Sequence, residues 1–412
     1  MKVYLLSPHC LPTRNPRTLR IENVRKILSL KWKVKVLCSK FTKNISVNKD
    51  VTNSRTDNEI YKLKIEIFNK PSFFSKFIKK IIFPDIYIMH NIWVTIKYLI
   101  FYSNRENVLI TFSNPFSTHI AGIMSKIFWP KRKWICDIGD LYQHNPNQKL
   151  PKWISPLLNW FERLVLNKSD YVILNSNEIF KFYKSNFDLD PSKTRIIYNG
   201  SILDFRGLDP TISKNTIRSF IGNTYEKVRE GRLELQLILD TINSYSLKNN
   251  NFRIILAGKQ DKSLYAAFKN KAEVDFISTL QEHKLIEIYQ KTNILINFAN
   301  HNYQGLPSKL YEYRLTGLPI IHFTYGPPDP SIEFLSDYPE ILIYHLELDK
   351  SEKLINFILK YKHASLSPIP NIDYNPEELP SRQLINTTIF NKHFFTIFTF
   401  ILNFYKNAES RI

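Results

Sequence analysis

Residues 304–321 contain the side chains whose types and spacing point most directly to chemistry. The segment reads QGLPSKLYEYRLTGLPII, which predicts a loop, a short helix, a glycine that ends the helix and an apolar strand. Pro307 and Ser308 are typical of a helix start. Free backbone N–H groups at that end attract an anion, and Lys309 adds a full positive charge. The start of the helix is therefore predicted to hold phosphate.

Glu312 follows Lys309 by about one helical turn, where its carboxylate can accept hydrogen bonds from the hydroxyl groups of a ribose. Each residue alone has a simpler interpretation, as a charge on the surface of a helix. The surrounding motif favours the functional interpretation, because a phosphate site and a ribose site then lie along one helix. The segment thus predicts a nucleotide site.

Residues 304–319 resemble the donor-binding signature of GT-B glycosyltransferases of the retaining glycosyltransferase family 4. In that family a Glu-x7-Glu pattern precedes an Ala-x-Gly-x-Pro-like turn. The resemblance implies that Glu312 contacts the ribose and that Gly317 and Pro319 form the turn between helix and strand. Gln304 stands where the family has its first glutamate, so it can hydrogen-bond a sugar hydroxyl but carries no charge.

The second half of the chain matches the family at further positions. Gly222, Tyr225 and Arg229 are similar to the first strand and basic loop of the second domain, where an arginine pairs with the diphosphate. The resemblance implies that Arg229 and Lys309 offset the charge of the leaving phosphate. The implied donor-binding residues are Gly222, Arg229, Gly305, Leu306, Pro307, Ser308, Lys309 and Glu312, and the implied catalytic residues are Asp140, Gln304, Arg229 and Lys309.

The first half resembles the acceptor side of bacterial members of the family. Its opening strand, loop and helix include Arg17 and Arg20, which are expected to supply positive charge towards the diphosphate or the acceptor. Residues 134–141 resemble a strand and loop often written Asp-x-Arg-Asp, with Gly139 at the usual arginine position. Asp140 there either orients or deprotonates the acceptor hydroxyl or caps the following segment. Asp137 is expected to be a structural partner, and residues 198–200 resemble an Asn-Gly turn that closes the domain.

Few other residues suggest chemistry. Asp188 and Asp190 mimic an Asp-x-Asp metal motif, but they precede Pro191, so a turn is the favoured interpretation. His119 is predicted to be packed and hydrogen-bonded within an amphipathic helix. Neither metal nor cofactor is expected, and family members need no metal.

The elements that must position these residues alternate between strand and helix in both halves, which indicates parallel sheets covered by helices. Predicted strands are 2–6, 33–37, 108–112, 133–137, 171–175, 195–198, 219–221, 252–257, 274–277, 294–298, 319–323 and 341–344. Predicted helices are 16–30, 116–128, 156–167, 176–186, 233–246, 285–291 and 308–315. The expected fold class is α/β, with two doubly wound Rossmann-like domains facing a cleft.

The predicted domains are 1–200 on the acceptor side, 201–385 for donor binding, and a helix within 386–412 that packs back on the first domain. The polar stretch 201–214 is read as the linker, and 42–58 as a surface loop. Residues 73–83 combine aromatic side chains with lysines. They are read either as an amphipathic element on an anionic membrane or as a packed helix with solvated lysines.

Composition limits the possible classes of protein. The 412 residues are 43% hydrophobic and 23% charged, which favours a folded two-domain chain over disorder. Three widely spaced cysteines argue against a disulfide framework or a structural zinc site. No apolar run is long enough for a membrane span. The net charge of +20 requires an anionic partner, but the basic residues follow no nucleic-acid-binding pattern.

Together these features predict a retaining, metal-independent glycosyltransferase. It would move a sugar from a nucleoside-diphosphate sugar to a polysaccharide or lipid-linked glycan, as in capsule or lipopolysaccharide, from the cytoplasm and in peripheral contact with the membrane. Three alternatives remain: a nucleotide-sugar epimerase of the same fold, a nucleic-acid-binding protein suggested by charge alone, and an inactive relative acting as a partner subunit, suggested by Gln304.

Overall fold

The computed structural model divides the chain into two compact units, and the division falls between Gly200 and Ser201. The structure describes residues 2–7, 16–29, 32–39, 60–61, 91–92, 95, 107–113, 115–144, 152–197, 203, 205, 216–225, 228–245, 252–278, 282–301 and 305–365. Several predictions lie wholly or mostly outside these residues: the loop 42–58, the amphipathic segment 73–83, the turn 198–200, the linker 201–214 and the C-terminal helix.

The first unit contains a seven-stranded sheet in which every pair of neighbouring strands is parallel. Its order is β3-β2-β1-β4-β5-β6-β7. The strands are β1 (Lys2–Leu6), β2 (Lys33–Ser39), β3 (Ile60–Tyr61), β4 (Val108–Phe112), β5 (Lys133–Ile138), β6 (Tyr171–Leu174) and β7 (Thr194–Ile196). All five residues of β4 are buried, as expected for a parallel strand covered on both faces.

Helices alternate with these strands: α1 (Pro16–Ser29), α2 (Ile120–Phe128), α3 (Ser155–Lys168) and α4 (Asn177–Phe187). The single helix predicted for 116–128 is wrong in its first turn, since Phe116–His119 form a 3-10 turn before α2 begins. The hydroxyl of Thr118 explains the tighter turn, because it donates to the carbonyls of Phe112 (2.6 Å) and Pro115 (2.9 Å).

Close packing of α2 on β5 fixes one face of the first sheet. A Cβ atom added at Gly122 would lie 1.8 Å from the ring of the fully buried Trp134, so only glycine allows this approach. The Trp134 indole donates to Thr111 Oγ1 (2.8 Å), which also contacts His119 Nδ1 (2.8 Å). The prediction that His119 is packed and hydrogen-bonded is confirmed, and burial lowers the pKa of His119 to about 3.

The second unit contains a six-stranded sheet, again with all neighbours parallel, in the order β10-β9-β8-β11-β12-β13, which repeats that of the first sheet without its last strand. Its strands are β8 (Thr216–Ile221), β9 (Phe252–Ala257), β10 (Val274–Ile277), β11 (Ile294–Phe298), β12 (Ile320–Thr324) and β13 (Ile341–His345). Its helices are α5 (Arg232–Ser244), α6 (Lys262–Phe268), α7 (Glu282–Lys291), α8 (Lys309–Thr316), α9 (Pro330–Leu335) and α10 (Ser351–Lys360). The predicted fold class, two doubly wound Rossmann-like domains, is confirmed.

The sequence interpretation missed several elements of this fold. The short strand β3 and the helices α6, α9 and α10 were not predicted. Asp261 begins α6 and Asp329 begins α9, each accepting a hydrogen bond from a serine N–H two residues on (2.8 and 2.9 Å). These are ordinary N-cap contacts, but six or seven residues are too few to show a helical period.

Candidate functional site

The strand order of the second unit locates its ligand-binding edge. From β8 the sheet grows to β9 and β10 on one side and to β11, β12 and β13 on the other. Sheets of this type bind ligands outside the carboxyl ends of the strands where the order reverses. That point is the pair β8 and β11, which end at Ile221 and Phe298. Gly222 follows the first and Asn300 lies just beyond the second.

The backbone at the end of β8 approaches that of β9 closely. The N–H of Gly222 donates to the carbonyl of Ala257 (2.8 Å). Gly258 has a φ of 121°, and a Cβ atom there would lie 2.3 Å from the Gly222 carbonyl oxygen. Both conditions require glycine. A Cβ atom at Gly222 would lie 3.8 Å from Cγ of Lys309, so the structure brings these two predicted residues together. Gly258 was missed by the sequence interpretation.

Helix α8 begins beside the same strand ends and stops at Gly317, whose φ is 68°. The predicted start at Ser308 and stop at Gly317 are confirmed. Its first backbone contact is the bond from Leu310 N–H to the carbonyl of Pro307 (3.1 Å). The buried Tyr313 fixes its direction, because its hydroxyl accepts from Ile221 N–H (2.8 Å) and donates to Ile296 O (3.0 Å).

Lys309 and Glu312 form an ion pair on α8. Lys309 Nζ lies 2.7 Å from Glu312 Oε2, and the hydroxyl of Tyr289 donates to the same oxygen (3.0 Å). The Glu312 side chain is 6% exposed and that of Lys309 is 28% exposed, so the ammonium group reaches solvent while the carboxylate is largely buried. A phosphate bound to Lys309 and a ribose bound to Glu312 would therefore lie side by side, because the two side chains already form an ion pair.

Arg229 lies on the loop after β8, where Tyr225 and Arg229 pair through their backbones. Its Nε and Nη2 atoms donate to Oδ1 of Asn300 (3.0 and 2.6 Å), and the Asn300 amide nitrogen donates to the carbonyl of Gly305. Burial lowers the pKa of Arg229 to about 10, so the guanidinium is still charged at neutral pH. Asn300 was missed, although a polar residue just after a buried strand at the ligand edge is a usable signal.

The remaining residues of the predicted donor site precede α8 or lie at its start. Gly305, Leu306 and Pro307 are buried just before α8, and Ser308 is half-buried at its start without a side-chain cap contact. Gln304 lies outside the described residues, so its predicted role stays a prediction.

In the first unit, the two predicted arginines have different environments. Arg20 is buried at 5% exposure and binds Asp137 (2.8 and 3.0 Å) and the carbonyl of Ile197 (2.8 Å). The structural role expected for Asp137 is thereby confirmed, and Arg20 is its partner. Arg17 instead lies 3.3 Å from Asp140, with side chains 42% and 30% exposed. The structure therefore brings Arg17 and Asp140 together at a surface.

The loop that carries Asp140 is anchored to buried groups. Gly139 N–H donates to Ser113 Oγ (2.9 Å), and Tyr142 stacks on Phe116 with ring centroids 4.6 Å apart. The nearby carboxyl of Glu162 is buried and accepts a hydrogen bond from Tyr183 (2.9 Å). Burial raises the pKa of Glu162 to about 7, and the bonds from Tyr183 and the loop backbone oppose the rise. The sequence interpretation missed Glu162, although Leu158, Val165 and Leu166 stand at helical spacing from it and place it on the buried face of α3.

The aspartates that mimic a metal motif belong to a turn. Asp188 ends α4 with a φ of 53°, and Asp190 accepts from Ser192 N–H (2.8 Å). The turn interpretation is confirmed. Within the described ranges, no three His, Cys, Asp or Glu side chains come together as metal ligands would. The same ranges contain no helix long and apolar enough to cross a membrane.

Comparison with known proteins agrees with the fold. The family model of Glycosyltransferase Family 4 matches residues 29–205. No curated protein sequence matches the chain. Among solved structures, it is similar to sucrose-phosphate synthase from Thermosynechococcus elongatus, with 13% identity over 87% of this chain and 89% of that chain and a TM-score of 0.54.

Two further structures show the same architecture. One is the lipopolysaccharide outer core galactosyltransferase WaaB in its apo form, with 11% identity over 98% of this chain and 99% of that chain and a TM-score of 0.56. The other is described as a UDP-N-acetylglucosamine 2-epimerase from Listeria monocytogenes, with 10% identity over 88% of this chain and 89% of that chain and a TM-score of 0.54. Identities this low show the fold alone.

The fold is that of the GT-B class, with two Rossmann-like units whose sheets share the order of six strands. Within that class the chain resembles glycosyltransferase family 4, whose match covers most of its first unit. The match supports glycosyl transfer as the type of reaction.

Proposed function

We propose that this chain is a retaining glycosyltransferase whose second unit binds a nucleoside-diphosphate sugar. The observation that carries the proposal is the grouping of Arg229, Lys309 and Glu312 at the carboxyl ends of β8 and β11. Two cations beside a helix start suit a diphosphate, and a buried carboxylate one turn along that helix suits a ribose.

The proposed chemistry is electrostatic. As the bond between sugar and diphosphate breaks, negative charge grows on the departing phosphate, and Arg229 and Lys309 stabilise that charge. The acceptor hydroxyl attacks from the face that the diphosphate leaves and its proton passes to the departing phosphate oxygen, so the anomeric configuration is kept. Asp140 is the proposed acceptor-side group, and its contact with Arg17 (3.3 Å) would orient its carboxylate. Gln304 would contribute a hydrogen bond to the sugar.

Metal independence belongs to the same proposal, because the two basic side chains would supply the charge that a metal ion otherwise provides. We expect transfer activity to be unchanged by EDTA. Loss of activity in EDTA with recovery on adding Mg²⁺ or Mn²⁺ would reject this part alone.

The acceptor proposed here is a polysaccharide or lipid-linked glycan of the cell surface, reached from the cytoplasm. The net charge of +20 supports contact with an anionic membrane or a phosphorylated acceptor. Sedimentation with vesicles that contain or lack anionic lipid tests the membrane contact separately from the reaction.

The first experiment is thermal unfolding of the wild type, Glu312→Ala and Glu287→Ala with UDP, GDP, ADP, CDP and TDP. Glu287 is an exposed glutamate of α7 and serves as the matched control. A ligand at about a hundred times its dissociation constant stabilises by roughly 2.7 kcal/mol. We expect one diphosphate to stabilise the wild type and the control but not Glu312→Ala. No shift with any nucleotide would reject the proposal.

The epimerase alternative has a structural neighbour of the same fold, so the product must decide. A transferase releases nucleoside diphosphate only in proportion to glycosylated acceptor, whereas an epimerase converts the nucleotide sugar without any acceptor. NMR of the product also reports whether the anomeric configuration is retained.

A further inference from the structure

Asn300 holds the guanidinium of Arg229 without neutralising it. Its Oδ1 atom accepts from both Nε and Nη2 of Arg229 (3.0 and 2.6 Å). Among the described residues, no carboxylate lies within ion-pair distance of Arg229. An amide oxygen fixes the plane of a guanidinium through two hydrogen bonds, as a carboxylate does, but carries no charge of its own.

The buried arginine of the first unit provides the contrast. Arg20 is instead held by a carboxylate, because its Nε atom lies 2.8 and 3.0 Å from the two carboxylate oxygens of Asp137. That pair is internally compensated and suits a structural role. At the edge of the sheet where ligands bind, Asp329 attracts the charge of Arg229 only from beyond ion-pair distance, and burial disfavours that charge and lowers the pKa of Arg229 to about 10. An anionic ligand would supply the missing compensation.

The other end of the same amide reaches the loop before α8. Asn300 Nδ2 donates to the carbonyl of Gly305, four residues before Lys309. A backbone bond from His301 N–H to the carbonyl of Val228 (2.6 Å) joins the same two segments. One side chain thus connects the loop that carries Arg229 with the loop that leads into the start of α8.

We propose that Asn300 is a positioning residue for the donor diphosphate: it sets the guanidinium of Arg229 and the loop at Gly305 in one arrangement and leaves the charge of Arg229 available to phosphate. The inference rests on the proposed function, because it assumes a diphosphate at this edge. It adds a residue outside the motif that predicted the site, and a reason why that residue is neutral.

The decisive variant is Asn300→Asp, which has the same shape. Its carboxylate can still accept both Arg229 bonds, but it neutralises the guanidinium and cannot donate to Gly305. Asn243→Asp is the matched control, since it makes the same change of charge at an exposed position in the last turn of α5. Titration calorimetry with UDP, UMP and uridine separates phosphate binding from nucleoside binding. If thermal unfolding identifies another base, the diphosphate, monophosphate and nucleoside of that base are used instead.

We expect Asn300→Asp to weaken diphosphate binding by about tenfold or more, as loss of a charged hydrogen-bonding partner does, with nucleoside binding changed less than about twofold. Asn243→Asp should match the wild type throughout. If Asn300→Asp does not fold, Asn300→Ala replaces it. This variant keeps the charge of Arg229 but frees its side chain, and should raise KM for the donor while the affinity for nucleoside stays the same.

Two results would overturn the inference while leaving the proposed function intact. One is unchanged diphosphate affinity in Asn300→Asp and Asn300→Ala. The other is an equal loss of affinity for diphosphate, monophosphate and nucleoside, which would make Asn300 a purely structural residue. A wild type that binds none of the three probes would reject the proposed function itself, and the inference with it.

Discussion

Glu312 and Glu162 are both buried, but their hydrogen-bonding and ionic partners differ, and these partners suit the two residues to different roles. Glu312 lies beside a lysine ammonium and a tyrosine hydroxyl, so its charge is balanced within one turn of α8. Glu162 accepts a hydrogen bond from Tyr183, and burial raises its pKa to about 7. A charged carboxylate at the ligand edge suits recognition of hydroxyl groups, whereas a carboxyl that favours its neutral form suits packing under a loop.

If Glu312 binds the ribose, its substitution should reduce the preference of the protein for ribose over deoxyribose nucleotides. A carboxylate that accepts from a ribose hydroxyl contributes about 1.5–3 kcal/mol, or roughly tenfold or more in affinity. We expect the wild type to bind a nucleoside diphosphate more tightly than its 2′-deoxy or 3′-deoxy analogue by that factor. Glu312→Gln, whose amide oxygen can accept only a neutral hydrogen bond, should show a clearly smaller preference for ribose, as measured by calorimetry.

Arg229→Lys is the comparison for that experiment, because it alters the phosphate side and leaves Glu312 in place. It should weaken all of these diphosphates by a similar factor and keep the preference for ribose. Equal preference for ribose in the wild type and Glu312→Gln would show that Glu312 has another role.

Glu162 predicts a pH dependence of stability. Burial raises the pKa of its carboxyl from 4.5 to about 7, so the folded chain binds a proton between these values that the unfolded chain does not. The free energy of unfolding therefore falls as pH rises from about 4.5 to about 7, by at most about 3 kcal/mol. Glu162→Gln should be more stable than the wild type near pH 8 and similar near pH 5 in thermal unfolding.

His119 acts with the opposite sign, because burial lowers its pKa to about 3 and stability is lost as pH falls below about 6.5. Since both proteins in the comparison contain His119, its contribution cancels in the difference between them. A difference that does not change between acid and alkaline pH would contradict the account of Glu162.

The motif made Glu312, Lys309 and Arg229 predictable, because their spacing along the chain reflects one helix start and one strand end. Asn300 and Glu162 were not predictable in this way. The contact of Asn300 with Arg229 spans 71 residues, and that of Glu162 with Tyr183 spans 21. The role of each depends on a partner that only the fold brings near.

At the scale of elements, buried parallel strands were the most predictable part. β1, β4, β9, β10 and β11 begin and end at the predicted residues. In β4 and β11 every residue is buried, because both faces of such strands are covered. The helices α6 and α9, of seven and six residues, escaped prediction, since two turns cannot establish a period. The first turn of the predicted helix 116–128 differs because side-chain hydroxyl bonds, which periodicity does not report, tighten it.

Tyr313 links one element, α8, to two others, β8 and β11. Tyr313→Phe removes a hydroxyl that accepts from Ile221 N–H and donates to Ile296 O, and leaves these backbone groups with poorer partners. We expect a loss of about 1–3 kcal/mol in the stability of the second unit, with weaker binding of diphosphate because α8 is less firmly held. Tyr265→Phe, at an exposed tyrosine of α6, should change neither quantity in chemical denaturation and calorimetry.

At the scale of the whole molecule, the family match and the donor-site residues lie in different units. Residues 29–205 match the family, whereas the residues proposed to bind the donor lie beyond 221, in the second unit, whose sheet repeats the order of six strands of the first. That order could be predicted from alternating strands and helices in each half, because right-handed crossovers allow few arrangements of parallel strands. The side-chain network at the sheet edge could not, since it depends on contacts between distant segments.

Hydrogen exchange on the full chain tests whether the nucleotide binds the second unit. A ligand that binds the folded state raises the free energy of local unfolding in the segments that it contacts, and amide exchange in those segments becomes slower. We therefore expect a stabilising nucleoside diphosphate to slow exchange in peptides covering 216–231 and 294–317, with no change in peptides covering 16–29 and 133–144. Glu312→Ala at the same ligand concentration should remove the protection. Slowed exchange confined to the peptides of the first unit would mean that the nucleotide binds there, and the assignment of the donor to the second unit would be wrong.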